Sequence, residues 1–304
     1  LPFHRYKRAA RLAILPIALA FGCGRPTPTM PEPHESISGV IAELKAHLEL
    51  EDPYRREPGR DPEGQNIYRL TLARLDRLDE LTGPQYDDIL AFARAECLER
   101  LGEWGGAAES FAIVVAGQTS LSELAGVREQ WARRLDRLTA PPEVTNSLDA
   151  YRTHFESSRA RLFDLLRADP PPSPPYGSYI RVERERALEQ LALLLSANRF
   201  APGSVELAVE AARTLAEENA ESWRIGLHHL TLGRLFEASA RDYTTLQPPE
   251  GARFDLGLWA GWIEGARDAY ARAAALDGDA AKPEGQARLQ ALDAYAQSVR
   301  RRAR

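Results

Sequence analysis

From residue 36 onward, apolar residues recur three and four positions apart, and no run of alternating β-branched residues breaks that rhythm. A period near 3.6 commits a chain to helices. The spacing therefore predicts an all-α protein with helices over 37–50, 66–81, 85–101, 104–117, 121–138, 147–167, 178–197, 203–218, 220–241, 253–276 and 284–302. Ser120 with Glu123 three residues later is a capping-box pattern, and Asn146 or Ser147 can cap the next helix. Proline and glycine mark the breaks, at 52–65, at Pro141-Pro142, and most heavily in Asp169-Pro170-Pro171-Pro172-Ser173-Pro174-Pro175. The last break, a loop at 169–177, divides an N-terminal helical part, 36–168, from a C-terminal one, 178–304.

Many short helices joined by short turns form bundles or solenoids, and a solenoid leaves an internal repeat. Segment 102–116, GEWGGAAESFAIVVA, aligns without a gap on 261–275, GWIEGARDAYARAAA. Gly102 falls on Gly261, Gly106 on Gly265, Ala107 on Ala266 and Phe111 on Tyr270. Read physically, a glycine ends one helix and a bulky residue follows. A small residue then lets the next helix approach, and an aromatic one turn later fills the gap beyond.

This order resembles the second half of a tetratricopeptide repeat (TPR). The pattern falls on Gly102, Trp104, Ala107, Phe111 and Val114 in the first copy, where Val114 departs from the small residue expected there, and on Gly261, Ile263, Ala266, Tyr270 and Ala273 in the second. Leu232-Gly233 with Phe236 is similar to the family's first-helix signature but stands too far ahead of Ala266 for a repeat of standard length. The two copies lie 159 residues apart, which is no multiple of the family's period of about 34. The resemblance implies antiparallel hairpins stacked as a TPR-like solenoid or superhelix, with a surface that binds a protein or peptide.

The N-terminus reads as a delivery device. Arg5, Lys7, Arg8 and Arg11 precede an apolar run from Leu12 to Gly22, too short for the roughly 20 residues of a membrane span. Leu19-Ala20-Phe21-Gly22-Cys23 resembles the lipobox of bacterial lipoproteins, and a Pro/Thr-rich stretch follows it. That resemblance implies a signal peptide over 1–22, lipid on Cys23, a tether over 23–35, and a place on the periplasmic face of the outer membrane. Processing would remove four of the 39 basic residues and none of the 44 acids, moving the net charge from −5 to −9. An acidic body of this kind is a poor general ligand for nucleic acid.

Motifs for chemistry are sparse. The sequence has no P-loop, HExxH, CxxC or nucleophile elbow, so no catalytic residue, metal ligand or cofactor is expected. His228-His229 lacks a further ligand at helical spacing and reads as a packing residue beside a surface one. Cys97 shares a stripe with Leu90, Ala93 and Leu101 and reads as a buried thiol. Glu156-Ser157 is similar to the catalytic dipeptide of lytic transglycosylases, which makes a glycan-cleaving enzyme, or an accessory to one, the rival to a binding scaffold. An enzyme needs a deep polar cleft at Glu156; a scaffold needs only a solvated helix face.

Overall fold

The computed structural model describes residues 36–48, 66–142, 147–168, 175–200 and 203–303. Among them the regular structure is eleven α-helices and one 3-10 turn at Pro84–Tyr86. The helices are α1 (Ile37–Leu48), α2 (Asn66–Leu81), α3 (Asp87–Leu101), α4 (Trp104–Ala116), α5 (Ser122–Thr139) and α6 (Leu148–Leu166), then α7 (Tyr176–Ala197), α8 (Ser204–Glu218), α9 (Ile225–Leu246), α10 (Leu256–Ala275) and α11 (Lys282–Arg302). The charged leader, Cys23, the tether, Asn146 and the loop residues 52–65 and 169–174 lie outside the described residues.

Each helix packs chiefly on its neighbours in sequence, and second neighbours touch at α1/α3, α5/α7 and α9/α11. The core follows the same serial order. One cluster joins α1 to α3 around Leu44, Leu75 and Leu90, and the next joins α3 to α5 around Ala95, Phe111 and Ala132. Others link α4 to α7 around Trp104, Leu135, Leu162 and Tyr179, and α7 to α9 around Leu191, Ala212 and Leu235. The last holds α9, α10 and α11 around Trp259, Tyr270 and Leu292. Successive clusters handed along the chain are consistent with a helical repeat, in which each unit buries its stripe on the next.

The α5/α6 junction departs from this order. These helices meet at few points, because α6 leans on α7 instead.

Local chemistry fixes the helix ends. Ser147 caps α6 by accepting from the Ala150 N–H at 3.2 Å. The capping box expected at Ser120 and Glu123 does not form, and the Ncap of α5 is Leu121 without a side-chain bond. Ser122 is used instead: its Oγ accepts from the Thr119 N–H at 2.8 Å and donates to the Val114 carbonyl at 2.9 Å, tying the α4 end to the α5 start. α11 begins with Pro283 in its first turn, where a missing N–H costs no intrahelical bond. α9 runs further than its periodicity predicts, to Leu246, and it starts later because the residues before Ile225 turn to present Ser222 and Arg224 to α7.

Candidate functional site

In the first aligned segment, Gly102 ends α3 in the left-handed region, φ 74°, which strains any residue with a Cβ. Trp104 opens α4 and buries its ring edge-on to Tyr179 of α7, 5.3 Å between centroids. Ala107, Phe111 and Val114 are fully buried. In the second segment Ile263, Ala266, Tyr270 and Ala273 are likewise fully buried, but Gly261 ends no helix. It lies within α10, and nothing is within 4 Å of the Cβ it lacks.

The separation of Leu232-Gly233 from Ala266 turns out to be spanned by longer arms. A Cβ on Gly233 would stand 2.4 Å from the Tyr270 ring, and one on Gly265 would stand 2.9 Å from the Phe236 ring. The corresponding place in the first hairpin holds Ala95, fully buried in the cluster with Phe111, and a Cβ on Gly106 would meet Leu98 at 3.3 Å. α9 continues thirteen residues beyond Gly233, whereas α3 continues six beyond Ala95. α10 begins fourteen residues before Tyr270, whereas α4 begins seven before Phe111. Each arm is thus seven residues longer, about two helical turns, and the contact register survives. Leucine at Ala107 or Ala266 should overpack these junctions and cost about 1–3 kcal/mol, while Ala303→Leu at the end of α11 should cost little. Thermal melts of the three variants check this, with equal midpoints as the adverse result.

Buried carboxylates accompany both hairpins, and the sequence reading missed them. Glu99 follows Leu98 as Glu237 follows Phe236. Glu99, with no exposed side-chain surface, accepts from the Tyr176 hydroxyl at 2.5 Å and from Arg128 of α5. The Arg128 guanidinium also reaches Glu96 at 2.5 Å and lies 5.0 Å from the Phe111 ring centroid. Glu237 accepts from the Tyr270 hydroxyl at 2.7 Å and from Arg241 at 2.9 Å, with Arg288 of α11 at 3.6 Å. Arg128 and Arg288 both stand six residues inside their helices. Burial pushes the Glu99 carboxyl above the ordinary carboxylate range, against the pull of Arg128 and Tyr176. Glu237 is also pushed up by burial, but Tyr270, Arg241 and Arg288 outweigh it and hold its carboxyl below that range.

A third carboxylate, Glu185 of α7, takes the His228 Nε2 at 2.5 Å and the Ser222 hydroxyl at 2.8 Å, both on Oε1. Those bonds, with Arg224 nearby, overcome burial and hold Glu185 below its ordinary range. Ser222 donates to the carboxylate and makes no hydrogen bond to the imidazole, so the trio ties α7 to α9 and is no nucleophile relay. His228 is fully buried and His229 half-buried. Cys97 is buried among Leu90, Ala93 and Leu101, and burial pushes its thiol up to about 12. Glu156 stands on a solvated face of α6, its side chain 56% exposed, with Arg152 Nε at 3.9 Å. Among the described residues no cluster of His, Cys, Asp and Glu could hold a metal ion, and no helix is long and apolar enough to cross a membrane.

Comparison of the chain with known protein families, with curated proteins and with solved structures finds no match.

Proposed function

We propose that this chain is a lipid-anchored scaffold on the periplasmic face of the outer membrane, built of TPR-like hairpins, that binds a protein or peptide partner in envelope assembly or secretion. The observation that carries the reading is the interlock of Gly233 on Tyr270 and Phe236 on Gly265, together with its counterpart at Ala95, Leu98, Gly106 and Phe111. Across each hairpin a small residue on one helix faces a bulky one on the other, Tyr270 and Phe236 in the second and Leu98 in the first, and such close packing supports the hairpin reading. Helices packed in series offer an extended surface, and such surfaces bind through many residues at once. The exposed position of Glu156 fits a helix face better than a cleft. The anchor rests on the sequence around Cys23 alone.

A two-chain lipid anchor holds a protein stably on a membrane, whereas one chain holds it marginally. In a bacterial host, wild type should therefore incorporate labelled palmitate and sediment with membranes. Cys23→Ser should lose the label and move to the soluble fraction. A Ser variant that still carries label and still sediments would overturn the anchor.

A further inference from the structure

The α5/α6 junction is open. Because α6 leans on α7, two cavities of 400 and 520 Å³ lie along the seam and share Arg137, Leu138 and Arg161. Together they form one groove. Its lining on α6 runs from Asp149 to Leu165, about 24 Å at 1.5 Å per residue.

Three arginines line this groove, Arg134 and Arg137 from α5 and Arg161 from α6. None has an ion pair among the described residues, though most other arginines on the same helices do. Arg128, Arg133, Arg152 and Arg159 are paired with Glu96, Glu129, Asp149 and Glu218. Arg134 is instead held near the Trp131 ring, 5.6 Å from its centroid. Two acids also line the groove. Asp149 is engaged by Arg152 at 3.3 Å, and Asp164 stands alone beside Arg161. The balance is positive on a chain whose net charge is −5, so the groove is a local reversal of the surface potential.

From this we infer that the α5/α6 groove binds an extended acidic peptide segment of a partner protein, its carboxylates taken by Arg134, Arg137 and Arg161. The groove is too long for a single small anion. At about 3.3 Å per residue it holds roughly seven extended residues. Asp164 interrupts the row of positive charge, which suits a peptide with separated carboxylates better than a polymer with uniform negative charge. The aliphatic residues of the lining are Leu138, Leu165 and the small Ala150, too few for an acyl chain, and Thr153 and Ser157 supply neutral hydrogen-bonding groups towards the far end. Guanidinium forks match carboxylates bidentately, and because exposed single pairs contribute little, the site works through several pairs at once.

The inference rests on the scaffold reading, and it names the chemistry of the partner. A fluorescein-labelled peptide of alternating Glu and Ser is titrated by anisotropy against the purified full chain, with a Gln/Ser twin, polyphosphate and phosphatidylglycerol vesicles in parallel. The Glu peptide should bind, more weakly as salt rises. Arg137→Ser with Arg161→Ser should weaken it about tenfold or more while leaving the melting temperature unchanged, because neither side chain has a partner to lose. Arg300→Ser with Arg301→Ser, two exposed arginines of α11, should change little. Equal binding by the groove variant, equal binding of the Gln twin, or capture of polyphosphate or vesicles with no binding of the Glu peptide would each overturn the proposal. Because the assay uses a soluble probe, its failure is distinct from a failure of membrane anchoring or of partner capture.

Discussion

Arg128→Met should be among the most damaging single substitutions in this chain, lowering stability by about 3–5 kcal/mol. The side chain of Glu99 is fully enclosed, and Arg128 is the cation that faces it; without that cation a carboxylate stays buried with only the Tyr176 hydroxyl. The loss should depend on pH, with a definite sign. Burial already raises the folded Glu99 carboxyl above its unfolded value, and loss of Arg128 removes a pull in the opposite direction. Between the unfolded value and the raised folded value, the folded variant holds a proton that the unfolded chain has released. Its stability should therefore rise as pH falls from neutral through the folded pKa towards the ordinary carboxylate range, more steeply than in wild type. Adding Glu99→Leu should recover much of the loss, since a buried pair replaced whole by apolar groups often costs little. Urea melts at neutral and mildly acid pH measure all three. A loss below about 1 kcal/mol, or one independent of pH, would show that Glu99 does not depend on Arg128.

The second large effect is a reversal of sign between two helical glycines. Alanine inside a helix ordinarily gains about 0.5–1 kcal/mol over glycine. Gly261→Ala should show that gain, because its added methyl meets nothing within 4 Å. Gly233→Ala should instead cost about 1–3 kcal/mol. Its methyl would lie 2.4 Å from a Tyr270 ring that is fully buried and fastened through its hydroxyl to Glu237, so the ring cannot swing aside cheaply. For a chain of this size each kcal/mol moves the midpoint by about 2–4 °C. If both variants melt higher than wild type, the α9/α10 interlock is looser than its geometry implies.

The all-helical fold was legible because amphipathic periodicity is local: the eleven helices fall where the spacing puts them, most ends within a few residues. Ends set by distant partners were not. α9 begins five residues later than its periodicity predicts, because Ser222 and Arg224 are drawn to Glu185 and Glu189 on α7. Gly261 was misread for a related reason. The alignment compares residue types, and only the backbone distinguishes Gly102 in a left-handed turn from a glycine within a helix. The sequence did carry one unused signal for the buried acids, since Glu99 and Glu237 hold the same place after Leu98 and Phe236. The partners of Glu99 and Glu185 could not be read, because Tyr176 and His228 come from helices far along the chain. The unpaired arginines of the α5/α6 groove were hidden likewise, since in a chain with 39 basic residues only the fold shows which lack an acid.

The scaffold reading meets its most direct test in one comparison of the full-length chain with its Glu156→Gln variant, each expressed in place of wild type and purified from detergent-solubilised envelope. Quantitative mass spectrometry of the co-purifying proteins and the cellular phenotype are read from the same cultures. A scaffold should retain the same protein at the same ratio in both, with no phenotype from the substitution, because Glu156 occupies a solvated face. A Glu156→Gln variant that folds and captures its partner normally yet fails in the cell would contradict the scaffold and point to the carboxylate as a reacting group.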